Sequence, residues 1–391
     1  MMGVGERRRP TWKARVLNVL FLGCFVGIVY VGIGYVFPRV RPDLPVADIH
    51  QVKDARDREV LEKAVEKRSE LAQSLSPIVL VVRGSEFVGS HIVDALLEEE
   101  MQVVVMDKHV EHENRQGWVG RLNDRLHPTV IHVAAQPGVK EDLDLLPNVP
   151  YSYVVYVPEE SPRLGEEDNI DEEKRYREDV DTLKHLVDLL GERDVPLQRL
   201  TVISSLDVYG PVSTAFLPIR ARMKMYPSTK WGRVMLAMEN VAKESGFPYA
   251  IIRVSSLYGP RQSPTRSIIA DLLSASQDGS EAVLPERSSV SRDFTFVGDL
   301  ADFVFEVMYV KYSEKLEVNV ATGYDVEVGA LPKLVESVTG KTIRVRTERI
   351  RLSIPNQYAF REYLETRFET DVETGLKETW GSFFDFHRVR A

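Results

Sequence analysis

Residues 78–107 constrain the fold more than any other part of the chain. They begin with an apolar run at 78–82, continue through a turn into a helical apolar pattern at 88–97, and end with a second apolar run at 103–106. A buried strand, a turn, a helix and a second buried strand within about 30 residues form a βαβ unit with parallel strands. The pattern therefore predicts an α/β protein with a doubly wound parallel sheet of the Rossmann type.

The residue after the second apolar run, Asp107, indicates which ligand such a fold would hold. In dinucleotide-binding sheets, a carboxylate at this strand end accepts hydrogen bonds from the adenine ribose and repels the additional phosphate of NADP. NAD is therefore favoured as the cofactor, although the neighbouring Lys108 weakens the preference. The alternative interpretation of Asp107 is an ordinary solvated acid at a strand end.

The N-terminal part of the chain predicts a membrane anchor. The segment 16–37 is apolar, with Asn18 as its only strongly polar residue. It is long enough to cross a bilayer core of about 30 Å as one helix. Five basic residues precede them: Arg7, Arg8, Arg9, Lys13 and Arg15. Because such an excess of positive charge stays in the cytosol, we expect a type II signal anchor with a cytosolic tail at 1–15. A charged stem at 38–76 would then lead into a lumen.

Composition excludes several classes of function. The 391-residue chain is 43% hydrophobic and carries a formal net charge of −9. An acidic chain without a basic stripe is unsuited to neutralising phosphates, which argues against a nucleic-acid partner. The single cysteine, Cys24, lies in the apolar segment, and the eight histidines show no zinc-ligand spacing. We therefore expect neither a disulfide framework nor a metal site.

Three residues in the middle of the chain form a candidate proton-transfer site. Tyr226 lies four residues before Lys230, and at the start of a predicted helix this spacing places phenol and ammonium on one face. The nearby positive charge favours the phenolate, which makes Tyr226 a candidate proton acceptor. Ser205 ends a predicted buried strand, from which its hydroxyl could reach the same substrate oxygen. The alternative is a surface aromatic beside a solvated lysine.

Four motifs follow one another in a characteristic order. They are Ser-Ser-x-x-Val-Tyr-Gly at 204–210, Tyr-x-x-x-Lys at 226–230, Arg-x-x-x-x-Tyr-Gly-Pro at 253–260 and Arg-Asp-Phe-Thr-x-Val at 292–297. This order resembles the extended short-chain dehydrogenase/reductase family of nucleotide-sugar epimerases, dehydratases and decarboxylases, roughly over residues 77–385. Within that family the chain looks most like UDP-glucuronate 4-epimerases and UDP-glucuronate decarboxylases.

The resemblance implies a reaction through a 4-keto sugar. Bound NAD would take hydride from C4 of a UDP-sugar while Tyr226 takes the hydroxyl proton. Ser205 would hold that oxygen, and Lys230 would favour the phenolate and bind the nicotinamide ribose. Returning the hydride to the other face gives a UDP-hexuronic acid 4-epimerase, whereas losing the C5 carboxylate gives a decarboxylase. Sequence separates these two outcomes poorly because they share the first step.

The turn after the first strand departs from the family pattern Thr-Gly-x-x-Gly-x-x-Gly. Arg83 and Glu86 occupy the first two glycine positions, where a carboxylate would face the cofactor pyrophosphate. We expect Arg83 to compensate by pairing with the phosphate or with Glu86. The resemblance still places four residues against the cofactor here: Gly84, Phe87, Val88 and Gly89.

These departures leave a second class of function open. Pro158 and Glu159 replace small residues that line the cofactor in the family, and Asp179 replaces an asparagine. A non-catalytic relative that binds or scaffolds, as a heteromer with an active relative, is therefore the alternative to an enzyme. The intact serine, tyrosine and lysine favour the enzyme, and a homodimer is equally open.

Two units are expected after the stem. Residues 77–254 would form the dinucleotide-binding sheet, and residues 255–391 a smaller C-terminal α/β lobe that binds the substrate. The resemblance places Ser256 and Arg292 of the lobe against the nucleotide of a UDP-sugar. Because enzymes of this layout are found in the Golgi, we expect a Golgi membrane protein with a luminal catalytic domain. The endoplasmic reticulum is the alternative.

Overall fold

The structure, a computed structural model, describes most of the chain beyond the predicted stem. The described residues are 77–108, 130–163, 166–263, 266–286, 290–309, 314–348 and 370–388. Within these ranges, no helix combines the length and the apolar character that crossing a bilayer requires. The predicted signal anchor at 16–37 and the stem at 38–76 lie outside the described residues.

The strands follow the apolar runs of the sequence. They are β1 (Ile78–Val82), β2 (Gln102–Asp107), β3 (Val130–Ala134), β4 (Tyr151–Tyr156), β5 (Arg199–Ser205), β6 (Tyr249–Val254), β7 (Ser256–Tyr258), β8 (Glu281–Pro285), β9 (Ser291–Arg292), β10 (Phe294–Phe296), β11 (Lys315–Val320), β12 (Val326–Glu327) and β13 (Arg344–Glu348). All residues of β1 and β2 are buried. Strands of a parallel sheet are buried on both faces, which explains their unbroken apolar character.

Seven of these strands pair into one parallel sheet in the order β11-β6-β5-β4-β1-β2-β3. From β1 the chain adds β2 and β3 on one side and then returns to add β4 on the other. This reversal leaves a crevice at the carboxyl ends of β1 and β4, where doubly wound sheets bind their ligands. The predicted Rossmann-type sheet is confirmed.

Helices cover both faces of the sheet. The helices are α1 (Phe87–Glu98), α2 (Glu172–Arg175), α3 (Thr182–Glu192), α4 (Lys230–Glu244), α5 (Ile268–Asp278), α6 (Val297–Met308), α7 (Leu331–Thr339) and α8 (Val372–Arg388), and a π-helical turn, Tyr176–Asp181, joins α2 to α3. α1 and α6 pack on one face, against side chains such as Val79 and Val103. α3 and α4 pack on the other, against Leu80 and Val104. Neighbouring strand residues thus supply the two opposite cores.

A smaller hydrophobic core lies in the C-terminal part of the chain. There α5, α7 and α8 pack with β8 and β13, which pair in parallel. This unit corresponds to the predicted C-terminal α/β lobe. The main sheet nevertheless takes its edge strand β11, and the covering helix α6, from the sequence after residue 254. The two units therefore interleave along the chain.

Candidate active site

A cavity of about 110 Å³ lies at the carboxyl edge of the sheet, beside the N-terminus of α1. Five residues that the sequence places in the site line it: Phe87, Val88, Ser205, Ser256 and Arg292. They come from distant parts of the chain and meet because parallel strands present their carboxyl ends at one edge of the sheet. The structure thus brings part of the predicted cofactor turn, the predicted catalytic serine and both residues predicted to contact the nucleotide into one cavity.

Ser205 occupies the last position of β5 and is anchored from both sides. Its Oγ accepts a hydrogen bond from the amide of Asp207, 3.2 Å away, at the start of a 3₁₀ turn. The preceding residue, Ser204, donates its hydroxyl to the buried carboxylate of Glu239 at 2.7 Å. These contacts fix the strand end that carries Ser205 to the cavity wall.

A buried ion-pair network lies behind Ser205. Arg253 donates to both carboxylate oxygens of Glu239, at 2.8 and 2.7 Å, and to the phenol oxygen of Tyr209 at 2.9 Å. Burial by itself lowers the pKa of Arg253, but the hydrogen bonds and charge of Glu239 outweigh it, and the net shift is upward. Because bidentate arginine–carboxylate pairs have a fixed geometry, this network holds β6 and α4 in place around the site.

The predicted helix start at Tyr226 is wrong. α4 begins at Lys230, and Thr229 caps it by accepting a hydrogen bond from the amide of Gly232 at 3.0 Å. Tyr226 precedes this cap in a non-helical segment. The physical reason is Pro227, because the residue before a proline is disfavoured in the helical conformation. Tyr226 and Lys230 therefore do not share a helical face.

Tyr226 also lies outside the cavity. Its side chain is 60% exposed, and neither Tyr226 nor Lys230 is among the residues that line the cavity. The ammonium of Lys224 lies 4.8 Å from the centroid of the Tyr226 ring, a cation–π arrangement. Lys230 Nζ donates to the carbonyl of Ile170 at 3.3 Å. The structure does not bring the tyrosine into the cavity with Ser205, and its role as proton acceptor stays a prediction.

Arg83, which stands at the first glycine position of the family pattern, forms a buried ion pair. Arg83 Nη2 donates to Asp179 Oδ1 at 2.7 Å and to the carbonyl of Glu178 at 2.9 Å. The π-helical turn thus brings a carboxylate from another part of the chain to the guanidinium, and the expected pairing of Arg83 with a phosphate or with Glu86 stays a prediction. The φ of Arg83 is 56°, in the left-handed region that favours glycine, the residue type of the family pattern.

Two carboxylates lie beside the N-terminus of α1. Glu86 is the N-cap residue, but its side chain does not cap the helix and pairs instead with Lys108 Nζ at 3.6 Å. Asp107, at the predicted strand end, accepts hydrogen bonds from the amides of Ser85 at 3.1 Å and of Lys108 at 2.7 Å. Burial, followed by the charge of Glu86, raises the pKa of Asp107 to about 6. Glu86 thus opposes the attraction of the helix dipole for a phosphate.

The two remaining glycines of the turn are needed for packing. A Cβ on Gly89 would lie 2.0 Å from the carbonyl oxygen of Arg83, and one on Gly84 would lie 2.9 Å from the side chain of Val105. α1 and the turn therefore approach each other and β2 more closely than a larger residue permits. These glycines preserve the strand–turn–helix geometry although the other two glycine positions have changed.

Three further residues of the cavity were not singled out by the sequence. Glu160, Trp231 and Gln262 line it, and each carries a buried polar atom without a hydrogen-bond partner, namely Glu160 Oε1, Trp231 Nε1 and Gln262 Oε1. Burial raises the pKa of Glu160 to about 8. Because buried polar atoms are nearly always hydrogen-bonded, these atoms indicate that the cavity binds a polar ligand. The one available signal was the position of Glu160 directly after the altered Pro158 and Glu159.

Fold and site together define a class of protein. A doubly wound sheet with a polar cavity at its carboxyl edge, beside a strand–turn–helix unit, is typical of dinucleotide-dependent enzymes. The sequence profile of the NAD dependent epimerase/dehydratase family matches residues 79–321, and the chain belongs to this family. The match confirms the predicted resemblance, the prediction of an enzyme, and NAD as the cofactor of the family.

The relatives of the chain carry the names of enzymes that act on nucleotide sugars. The chain is similar to a putative UDP-glucose 4-epimerase of Methanocaldococcus jannaschii, with 25% identity over 315 residues that cover 77% of this chain and 96% of the relative. It is also similar to UDP-glucuronic acid decarboxylase 3 of Arabidopsis thaliana, with 22% identity over 292 residues, 68% of this chain and 76% of the relative. The solved UDP-glucuronic acid 4-epimerase of Bacillus cereus, in complex with UDP-glucuronic acid and NAD, superposes with a TM-score of 0.67. It covers 79% of this chain and 99% of that one at 17% identity, so this likeness shows the fold alone.

The residues around the cavity fit NAD. The N-terminus of α1 reaches the cavity through Phe87 and Val88, and helix N-terminal amides are suited to phosphate groups. The orphaned atoms of Trp231 and Gln262 offer one donor and one acceptor to a polar ring substituent such as the nicotinamide carboxamide. Glu86 is the residue that opposes the fit, because it adds negative charge beside the helix N-terminus.

Proposed function

We propose that the chain is an NAD-dependent UDP-hexuronic acid 4-epimerase. The observation that carries this proposal is the cavity, which collects Ser205, Ser256 and Arg292 beside the N-terminus of α1. Arg266 also lines the cavity; it lies 3.8 Å from the Glu159 carboxylate, and its other guanidinium N–H groups can bind a sugar carboxylate, which supports a hexuronic acid. The names of the relatives support a UDP-sugar, since one is a UDP-glucose 4-epimerase and another was solved with UDP-glucuronic acid.

The residues of the site have distinct tasks in this proposal. Ser205 donates a hydrogen bond to the C4 oxygen of the sugar, and Ser256 and Arg292 hold the nucleotide. NAD, when bound, would supply the hydride acceptor and donor that reaction at C4 requires. Tyr226, supported by Lys230, is the proton acceptor that the family resemblance supplies. Because Tyr226 is 60% exposed outside the cavity, this role requires its segment to close over the site.

Incubation of the full-length protein with UDP-glucuronate and NAD is expected to give UDP-galacturonate, the C4 epimer. Proton NMR of the nucleotide sugars distinguishes this product from UDP-xylose, which forms with loss of carbon dioxide. UDP-xylose as the main product would assign the chain as a decarboxylase, the alternative that the Arabidopsis relative supports. A wild-type protein that converts neither this nor any other UDP-sugar would contradict both assignments.

A non-catalytic binding or scaffolding protein is the second candidate function. Two features of the turn favour it: the buried Arg83–Asp179 pair and the carboxylate of Glu86. In the family pattern these positions are glycines, which leave the backbone amides accessible to a phosphate. In that case the chain would bind a UDP-sugar, or pair with an active relative, without turnover. Retention of UDP-glucuronate in equilibrium dialysis without conversion of the sugar distinguishes this candidate from the epimerase.

We propose that the protein is a type II membrane protein of the Golgi with residues 38–391 in the lumen. The support comes from the apolar segment at 16–37 and the basic residues before it. Protease added to sealed Golgi vesicles is expected to remove a tag at the N-terminus and to leave residues 77–391 intact. Detergent should expose both to the protease. Digestion of the 77–391 region in intact vesicles would contradict this topology.

A further inference from the structure

Arg83 is the only lysine or arginine between residues 78 and 107, the βαβ unit of the dinucleotide fold. Its side chain is 1% exposed. Nη2 donates to Asp179 Oδ1 at 2.7 Å and to the carbonyl of Glu178 at 2.9 Å, whereas Nε and Nη1 have no hydrogen-bond partner. The N–H groups of these two nitrogens are therefore buried and unpaired. Because buried donors are nearly always paired, they indicate that a ligand supplies the missing acceptors.

The guanidinium lies beside the cavity of the site. The amide of Glu86 donates to the carbonyl of Arg83 at 3.1 Å, which closes the turn, and the next residue, Phe87, lines the cavity. Asp179 Oδ1 also accepts a hydrogen bond, at 3.1 Å, from the amide of Glu159, a further residue of the cavity wall. Arg83 is thus adjacent to the cavity wall both through the turn and through its ion-pair partner.

The N-terminus of α1 attracts anions to this place. The first amides of a helix have no partner within the helix, and the side chain of the N-cap residue Glu86 forms no capping hydrogen bond. In doubly wound folds these amides meet the pyrophosphate of a dinucleotide. Glu86 and Asp107, which are 8% and 3% exposed, add carboxylates beside the same amides. A pyrophosphate therefore needs a cation at this turn.

Two cations lie beside the turn, and they differ in how well they suit a phosphate. Lys108 Nζ pairs with Glu86 at 3.6 Å, and its side chain is 21% exposed. Arg83 is buried and keeps unpaired N–H groups after its pairing with Asp179. A guanidinium binds a phosphate through several donors in a fixed plane, whereas an ammonium acts as a point charge. Arg83 is therefore the better phosphate ligand.

We propose that Arg83 binds the pyrophosphate of NAD through Nε and Nη1 while Nη2 stays on Asp179. The arginine then supplies the donors that backbone amides supply where the turn has glycine, and its charge offsets that of Glu86. Asp179 fixes the guanidinium from the opposite side. This assignment rests on the NAD-dependent function proposed above, and it names the residue of that site that holds the cofactor phosphates.

Binding requires one local change. The guanidinium is buried, so a phosphate reaches Nε and Nη1 only after a neighbouring side chain has moved. Glu86 interacts electrostatically with Arg83 and forms the ion pair with Lys108. Because a phosphate competes with this carboxylate for the same cations, we expect NAD to displace the Glu86 side chain from the turn.

The double variant Arg83→Gly with Asp179→Asn tests the assignment in the full-length protein. It restores the glycine and the asparagine of the family pattern, yet we expect its Kd for NAD to rise by at least about tenfold in isothermal titration, equivalent to about 1.4 kcal/mol. An arginine that only fills the turn predicts the opposite sign, since glycine would then open the turn and the Kd would fall. Arg344→Ala, which removes an exposed arginine of β13, is the control and should keep the wild-type Kd.

Two single variants separate the arginine from its partner. Asp179→Asn keeps the guanidinium, and its Kd for NAD should stay within about threefold of wild type. Arg83→Lys keeps a cation beside Asp179 without the fork of donors, so its Kd should rise by about threefold to tenfold. This variant does not depend on the folding of the double variant, and circular dichroism verifies that each protein is folded. An unchanged Kd in Arg83→Lys would contradict binding through Nε and Nη1.

ADP-ribose, which has the pyrophosphate of NAD but no nicotinamide, locates the lost contact. The double variant should lose affinity for ADP-ribose by the same factor as for NAD. In the wild type the Kd for both ligands should rise with salt, and this dependence should be weaker in the double variant, because salt screens an ionic contact. Loss of affinity for NAD alone would place Arg83 at the nicotinamide and overturn the phosphate assignment.

The outcomes separate the role of Arg83 from the epimerase function. A double variant that binds NAD as tightly as the wild type, or more tightly, overturns the role of Arg83 and leaves the epimerase function standing. A wild type that binds NAD, with the expected losses in the variants, but converts no UDP-sugar overturns the epimerase function and leaves the role of Arg83 standing. A wild type that binds neither NAD nor ADP-ribose overturns both.

Discussion

Replacement of Arg83 by alanine is expected to destabilise the folded protein by about 3–5 kcal/mol, the usual effect of removing one partner of a buried ion pair. The side chains of Arg83 and Asp179 are 1% and 0% exposed, so the substitution leaves the Asp179 carboxylate buried without its partner. Denaturant unfolding of the full-length protein, followed by circular dichroism, measures the change. Lys377→Ala, which breaks an exposed ion pair with Glu373, is the control and should leave the unfolding midpoint almost unchanged.

The double variant Arg83→Gly with Asp179→Asn is expected to recover most of the lost stability. It removes both buried charges, and glycine adopts the φ of 56° at position 83 without strain. A double-mutant cycle of Arg83→Gly and Asp179→Asn should therefore give a coupling energy of at least about 3 kcal/mol, the upper end of the range for residues in direct contact. Strictly additive effects of the two substitutions would show that the ion pair does not couple the turn to the π-helical segment.

The sheet and part of the site could be predicted because their signals are local. Strands buried on both faces leave unbroken apolar runs, such as residues 78–82, and the alternation of strands and helices fixes a doubly wound sheet. Ser205, Ser256 and Arg292 follow from motif order, and the rule that ligands bind at the carboxyl edge brings them to one cavity. The position of Tyr226 was also open to prediction, since Pro227 directly after it disfavours a helix.

Long-range partners could not be predicted in the same way. Arg83 pairs with a residue 96 positions away, whereas the sequence showed only its neighbour Glu86 as a candidate. The burial of Glu160 depends on a cavity wall that also includes Trp231 of α4 and Gln262 of the C-terminal part. Nothing in the residues around 160 encodes these contacts, because burial is set by elements that meet only in the folded chain.

NAD is expected to stabilise the full-length protein against heat, and Glu86→Gly to increase that stabilisation. Binding stabilises the folded state by RT ln(1 + [L]/Kd), about 2.7 kcal/mol at a hundredfold excess over Kd. The Glu86 carboxylate lies at the N-cap of α1, where a helix attracts phosphate, and its ion pair with Lys108 is 3.6 Å long and leaves negative charge at that position. Its removal should lower the Kd for NAD by about tenfold, equivalent to about 1.4 kcal/mol.

Glu86→Gln separates the two ways in which Glu86 opposes NAD. Glutamine removes the charge and keeps the size, so equal gains in Glu86→Gln and Glu86→Gly would assign the effect to charge repulsion alone. A larger gain in Glu86→Gly would show that the side chain also occupies space needed by the pyrophosphate, and glycine costs only a few tenths of a kcal/mol as an N-cap. Melting curves of wild type and both variants that do not move in millimolar NAD would contradict a working cofactor site. That result would favour the non-catalytic binding protein, since the turn would then be closed by the buried pair of Arg83 and Asp179.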